Sequence, residues 1–387
     1  MRDFLAKRMT NIKPSGIRKF FDIVSEQPDA ISLGVGEPDF DTPRQMTEVA
    51  INSLREGRTF YTANAGLLPL RKRINDYLNE RVGVNYQPES EIIVTVGGSE
   101  AIDLAFRVFL DPGDEVIIPE PSFVCYKPIT ELVGGKAVTI DLQMENQFQL
   151  TAEELEAAIT PKSKILMLSY PNNPTGAIMP KEALIKIADV VKKHDLLVVS
   201  DEIYAELIYD GSFVSIASLP GMRERTIVIN GFSKAFAMTG WRLGFVAGPE
   251  IFIQEMLKVH QYTIMAAPTA SQYAALEGLK DWHDTVENMR LSYEERRNYL
   301  HHALTNMGLP CYKAEGAFYL FPQISQFGLS SEDFAIRLLE EEKLAVVPGS
   351  AFGESGEGYL RLSYAYSLDE LKEAIRRLEK FIQKINH

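Results

Sequence analysis

The stretch Val228-Ile-Asn-Gly-Phe-Ser-Lys234-Ala-Phe-Ala-Met-Thr-Gly-Trp-Arg242-Leu-Gly-Phe245 decides how the chain is read. Thr226 to Asn230 is a short β-branched run with the pattern of a buried strand. Gly231-Phe232-Ser233-Lys234 then breaks the pattern with a small-residue turn, and Leu243 to Ala247 resumes an apolar run. A lysine at the end of a core strand is paired, snorkelling or chemically used. Burial in apolar surroundings lowers an amine pKa, which is what a nucleophilic lysine needs. Arg242, a little further on, suits a phosphate.

The whole chain sets the frame for that stretch. Its 387 residues suggest two domains. An apolar content of 45% with 24% charged residues is that of an ordinary globular protein. The net charge of −13, without a basic block, argues against nucleic acid and anionic membranes as partners. Two distant cysteines, Cys125 and Cys311, give neither a disulfide framework nor a zinc spacing. The six histidines form no metal motif, and His301-His302 reads as a solvated helical face. No run reaches transmembrane length, and a reduced cytoplasmic setting is expected.

Other chemistry-bearing stretches follow strand ends. Ala30 to Leu33 reads as a strand before Gly34-Val-Gly36-Glu-Pro38-Asp39; Asp39 and Pro38 spoil a dinucleotide fingerprint and leave a turn. Tyr61 precedes Asn64-Ala-Gly66, and taken alone it is a packing residue. Glu91 to Val96 reads as a strand, Gly97-Gly98-Ser99 as a turn, and Glu100 to Leu110 as a helix. That arrangement fits an anion cradle, or a helix that Ser99 simply caps. Phe123 follows the strand Asp114–Pro119 and either stacks on a flat ring or fills the core. Tyr170-Pro-Asn172-Asn173-Pro-Thr-Gly176 is turn chemistry at the end of the strand Lys164–Ser169. Asp201 ends the apolar strand Leu196–Ser200, where it caps a helix or meets a cation; Tyr204 follows three residues on. Beyond Ala247 the helices 251–258, 270–279 and 282–307 lead to strands at 310–313, 317–321, 344–348 and 359–364. The helices 331–342 and 368–385 complete that part. Arg361, among apolar neighbours, either faces outward or forms a buried carboxylate fork.

The string Gly231 to Gly244 resembles the pyridoxal-phosphate attachment signature of class I aminotransferases of fold type I. The ordered motifs Asn173-Pro-Thr-Gly, Asp201-Glu-Ile-Tyr204 and Ser233-Lys234 extend the likeness over roughly residues 12–380. The resemblance implies an α/β protein: a large domain (45–285) with a mostly parallel seven-stranded sheet, and a smaller α+β domain from 1–44 and 286–387. It implies that pyridoxal 5′-phosphate is bound by Lys234 as a Schiff base, with Lys234 also shuttling the proton. Gly98, Ser99 and Arg242 would hold the phosphate, with Ser233 among the cofactor-binding residues, and Phe123 would stack on the ring. Asp201 would face the ring nitrogen, and Tyr204 and Asn173 the 3′-oxygen. Lys234, Asp201 and Tyr204 form the expected catalytic set. Arg361, Gly36 and Asn173 would take the substrate carboxylate, with Ile17 in a lid over the side chain. Tyr61 would reach the partner's site in a homodimer with shared active sites.

The expected reaction is ping-pong transfer from a neutral or aromatic L-amino acid to 2-oxoglutarate. The likeness of Ser15-Gly-Ile-Arg-Lys-Phe-Phe21 and Gly34-Val-Gly-Glu-Pro-Asp-Phe40 to bacterial alanine, aromatic and aspartate aminotransferases leaves the substrate open. A pyridoxal-phosphate-dependent C–S β-lyase on the same fold is the alternative. A non-catalytic cofactor-binding sensor is the remoter one.

Overall fold

The computed structural model describes residues 4–14, 16–17 and 29–386. After β1 (Ile31–Ser32) come α1 (Arg44–Arg55), α2 (Leu68–Val82), β2 (Ile92–Thr95) and α3 (Gly97–Phe109). Then follow β3 (Glu115–Glu120), α4 (Tyr126–Leu132), β4 (Lys136–Asp141), α5 (Ala152–Ala158), β5 (Ser163–Ser169), α6 (Lys181–Lys193), β6 (Leu197–Asp201), β7 (Thr226–Gly231) and β8 (Gly244–Ala247). α7 (Glu250–Thr263), α8 (Thr269–Gly278) and the long α9 (Trp282–Asn306) lead to β9 (Tyr319–Leu320), α10 (Ser331–Glu342), β10 (Leu344–Ala345), β11 (Val347–Pro348), β12 (Leu360–Ser363) and α11 (Leu368–Ile385).

Seven strands form the main sheet in the order β2-β8-β7-β6-β5-β3-β4. β8 runs antiparallel to both β2 and β7, and the remaining pairs are parallel. β2 therefore points the same way as β7. The chain leaves β2, β5, β6 and β7 at one common edge, where open α/β sheets gather their ligands. Alternate residues of the strands serve different layers. Ile117, Leu166 and Val198 pack with Leu155 of α5 and Ile187 of α6. Val116, Ile165, Val199 and Ile229 pack with Ala105 of α3 and Met256 of α7. Burial on both faces accounts for the nearly unbroken apolar strands.

A second core joins α9, α10 and α11 through Leu300, Leu338 and Leu378, and Tyr204 and Leu33 reach into it. Its three-stranded sheet is antiparallel in the order β11-β12-β9, and β1 pairs in parallel with β10. Capping boxes start two helices: Thr151 with Glu154 at α5, and Ser367 with Glu370 at α11.

Several expectations are corrected. Residues 310–313 form no strand: the Pro310 carbonyl accepts from Gln323 N and the Cys311 carbonyl from His301, so no ladder runs through them. His301 is accordingly part-buried, not fully solvated, and burial lowers its pKa. The run 344–348 is two strands. Leu344 pairs with Ile31, whereas Val347 pairs with Arg361 in the other sheet. Helix α3 begins at Gly97, so the glycine turn is its own first turn. Of the segment around Ile17, Ser15 and residues 18–21 lie outside the described residues.

Candidate active site

A cavity of about 500 Å³ opens at the common edge of the strands. Its lining includes Ile17, Gly36, Gly98, Ser99, Phe123, Asn173, Asp201, Tyr204, Ser233, Lys234, Arg242 and Arg361, twelve of the thirteen residues singled out from the sequence. Tyr61 is the exception. Its side chain is 81% exposed, outside the cavity of its own chain.

The lysine comes straight off β7. Its Nζ donates to the Gly36 carbonyl at 2.6 Å and lies 5.8 Å from the centre of the Tyr204 ring. Burial pulls its pKa down to about 8; Glu37 opposes that, while Arg361 and Arg242 reinforce it. A lysine beside two arginines in a confined cavity is a good nucleophile near neutral pH.

An anion cradle lies across the cavity. The N-terminus of α3 follows Val96, which makes no side-chain cap, so Ser99 sits inside the first turn and is not the N-cap. The first N–H groups of a helix lack partners within it and carry its positive end. Arg242 approaches so closely that a Cβ on Gly97 would stand 2.8 Å from its Nη2. Gly97 also has φ of +74°, so glycine is required there twice over.

Asp201 is 6% exposed at the end of β6. Burial raises its pKa; hydrogen bonds from Tyr126 and from the Ile203 N–H oppose the rise. Tyr126 Oη donates to Asp201 Oδ2 at 2.8 Å and lies 2.9 Å from Ser169 Oγ. Ser169 and Asp201 are register partners on β5 and β6, which is why one phenol reaches both. The Ile203 N–H bond makes a local turn where a helix cap was the alternative expected for this aspartate, and Asp201 lines the cavity.

Arg361 is 2% exposed, so the buried fork is the form adopted. Nη1 donates to Asn173 Oδ1 at 3.1 Å, and Nη2 donates to the Gly34 carbonyl. Its Nε is buried without a partner. A guanidinium in the cavity wall, held through both Nη atoms, presents a fixed positive charge that suits an anion.

Sequence reasoning missed Tyr126, Tyr319 and Glu37, which also line the cavity. Tyr126 stands three residues after Phe123, and the two rings meet edge-on at 5.9 Å. That spacing was a readable signal. Tyr319 carried none, because its place depends on β9 pairing with β12.

The sequence profile of the family described as aminotransferase class I and II matches residues 28–378. The chain belongs to this family and is a transaminase, built on fold type I. It is 53% identical to the putative aminotransferase YugH of Bacillus subtilis over 384 residues, covering 99% of this chain and all of that one. It is 46% identical to the aromatic-amino-acid aminotransferase 2 of Thermococcus litoralis, covering 98% of each. Among solved structures, the aspartate aminotransferase of Thermus thermophilus with maleate superposes with a TM-score of 0.93 at 38% identity, covering 98% of this chain and 100% of that one.

Proposed function

We propose that the chain uses pyridoxal 5′-phosphate to move the amino group of a neutral or aromatic L-amino acid to 2-oxoglutarate. The observation that carries this reading is the meeting, in one cavity, of a lysine of lowered pKa, an anion cradle, a buried carboxylate and a buried arginine fork. The donor set fits the cofactor group by group. Ser99, Gly98 and Arg242 suit its phosphate, and Ser233 lines the same cavity. Asp201 suits its ring nitrogen, Tyr204 and Asn173 its 3′-oxygen, and Phe123 a ring face. Lys234 suits its aldehyde carbon. When bound, the cofactor supplies an electron sink for the pair left at the substrate Cα.

The chain's own residues do the rest. Arg361 orients the substrate through its carboxylate. Lys234 Nζ, as the free amine, takes the Cα proton and returns it one step later. Asp201, held by Tyr126, keeps a proton on the ring nitrogen. Gly36 and Ile17 line the same cavity. Ile17, Val35, Phe123 and Tyr319 also line the cavity, and they suit an apolar or aromatic side chain. Beyond Arg361 and Arg242 the described lining offers no arginine for the distal carboxylate of 2-oxoglutarate. The acceptor is therefore the part of the reading that an oxoacid panel decides.

Homodimer formation is part of the proposal. Phe60 (82% exposed), Tyr61 and Tyr262 (91%) stand out of the surface on segments tied together by Thr269 Oγ1 to the Phe60 carbonyl and Asn64 Nδ2 to the Met265 carbonyl. Exposed apolar groups gathered in this way suit a protein interface. We also propose the division into domains 45–285 and 1–44 with 286–387, and a cytoplasmic setting. Supporting the setting, both cysteines are free, and among the described residues no helix is long and apolar enough to cross a membrane.

The test is a matrix of amino donors against 2-oxoglutarate, pyruvate and phenylpyruvate, run with wild type and Lys234→Ala. Turnover of phenylalanine, tyrosine or alanine by wild type, lost by about 10³-fold or more in Lys234→Ala, is expected. Turnover of none of these donors, or an active Lys234→Ala, overturns the reading.

A further inference from the structure

We infer that Tyr319 is a positioning residue that acts through Tyr204, holding its hydroxyl and coupling it to the occupancy of the Arg361 fork. The inference rests on the function proposed above. It starts from a pair of buried phenols whose oxygens lie 2.8 Å apart, Tyr204 from the turn after β6 and Tyr319 from β9. The Tyr319 hydroxyl is also pressed against the backbone at Gly36: a Cβ there would stand 2.5 Å from it. The phenol thus touches Gly36, whose carbonyl holds Lys234, and Tyr204, which lines the same cavity.

The Tyr319 ring carries the second half of the link. The Arg361 guanidinium carbon lies 4.4 Å from the Tyr319 ring centre and 4.8 Å from that of Phe352, so the cation is held between two aromatic rings. A cation over a ring face stabilises negative charge on that ring's oxygen, which strengthens the phenol as a donor. Burial pushes both phenols up, but the next strongest influence on Tyr319 is Arg361, which pulls it back; for Tyr204 the next strongest is Tyr319 itself, which raises it further. Tyr319 is therefore the natural donor once Tyr204 turns its own proton toward the 3′-oxygen.

With the fork empty, the uncompensated guanidinium draws the Tyr319 proton into its bond with Tyr204, and a chain of hydrogen bonds polarises along its length. A substrate carboxylate on Arg361 cancels that field. Tyr319 then donates less, Tyr204 keeps its proton closer, and the 3′-oxygen becomes more basic at the moment substrate is in place. Asn173 offers a parallel route, since it accepts from Arg361 Nη1. Removing the Tyr319 hydroxyl therefore weakens the coupling without abolishing it.

The experiment uses the holoenzyme and 3-phenylpropanoate, a carboxylate without an amino group. The pKa of the cofactor's visible band is titrated with and without saturating probe, in wild type, Tyr319→Phe and Phe352→Leu. Wild type is expected to show an upward shift with probe. In Tyr319→Phe the shift falls to about half or less, while probe Kd stays within about threefold because the ring and its stacking remain. In the same variant kcat for an amino donor falls by roughly 3- to 10-fold with KM little changed. Phe352→Leu weakens the probe but keeps the full shift at saturation. A wild-type-sized shift in Tyr319→Phe, a loss of kcat that merely follows weakened probe binding, or a wild type whose band does not respond to the probe overturns the inference. A wild type without a Lys234-dependent visible band instead overturns the proposed function.

Discussion

At the scale of single residues the site depends on how burial and charge are set against each other around Lys234. Its amine lies between a wall of aromatic rings, the Gly36 carbonyl, the Glu37 carboxylate and two arginines. Burial is the largest influence and favours the neutral amine, with a pKa of about 8. The amine is thus protonated below pH 8 and becomes a free nucleophile as the pH rises through that value. In the cofactor-free protein, acetylation of Lys234 by limiting acetic anhydride, followed by peptide mass analysis, is expected to rise with a midpoint near pH 8. Lysines in unstructured model peptides serve as the reference and are expected to rise about two pH units later. A Lys234 midpoint that coincides with theirs removes the physical basis for its nucleophilic role.

At the scale of elements, strand ends and the turns that follow them do the positioning. Asn173 is presented by the turn between β5 and α6, and that turn is locked by Gly176. Gly176 has φ of +70°, and a Cβ there would stand 2.4 Å from Ala314 Cβ and 2.8 Å from the Gly316 carbonyl oxygen. Its own carbonyl accepts from Glu315 N and Gly316 N, tying the sheet edge to the segment that leads into β9. Gly176→Ala combines left-handed strain with a backbone clash. It is expected to destabilise the protein by about 1–3 kcal/mol, read as a lower melting temperature. The same variant is expected to raise KM for amino donors more than it lowers kcat, because Asn173 supports Arg361. An unchanged melting temperature and KM refute this account of the turn.

At the scale of the whole molecule the proposed partner subunit enters. Tyr61 is outside its own cavity, on a surface that also exposes Phe60 and Tyr262. If each site is completed by the other chain, defects on opposite sides of the interface complement one another. Lys234→Ala and Tyr61→Ala subunits, mixed through reversible dissociation, are expected to regain turnover that neither parent has. In the hybrid one site unites the intact Lys234 of one chain with the intact Tyr61 of the other. No recovery, with hybrid formation verified by native mass spectrometry, rules out sharing through Tyr61.

By itself the sequence determined the α/β class, most strands and helices through Ala247, though not α4, and which residues end those strands. These are local properties: apolar runs, glycine turns and capping boxes write them within a few residues. The twelve named residues that line the cavity could be picked out because each stands in or beside a short motif that carries the family resemblance. Tertiary structure alone decided which way Arg361 faces, that Tyr126 grips Asp201, and that Tyr319 joins Tyr204 from 115 residues away. It also split the run 344–348 between two sheets and kept 310–313 out of any, because a strand needs a partner and no local pattern names one. The physical division is between propensity, which neighbours along the chain set, and the pairing of buried polar groups, which only distant segments brought together can supply.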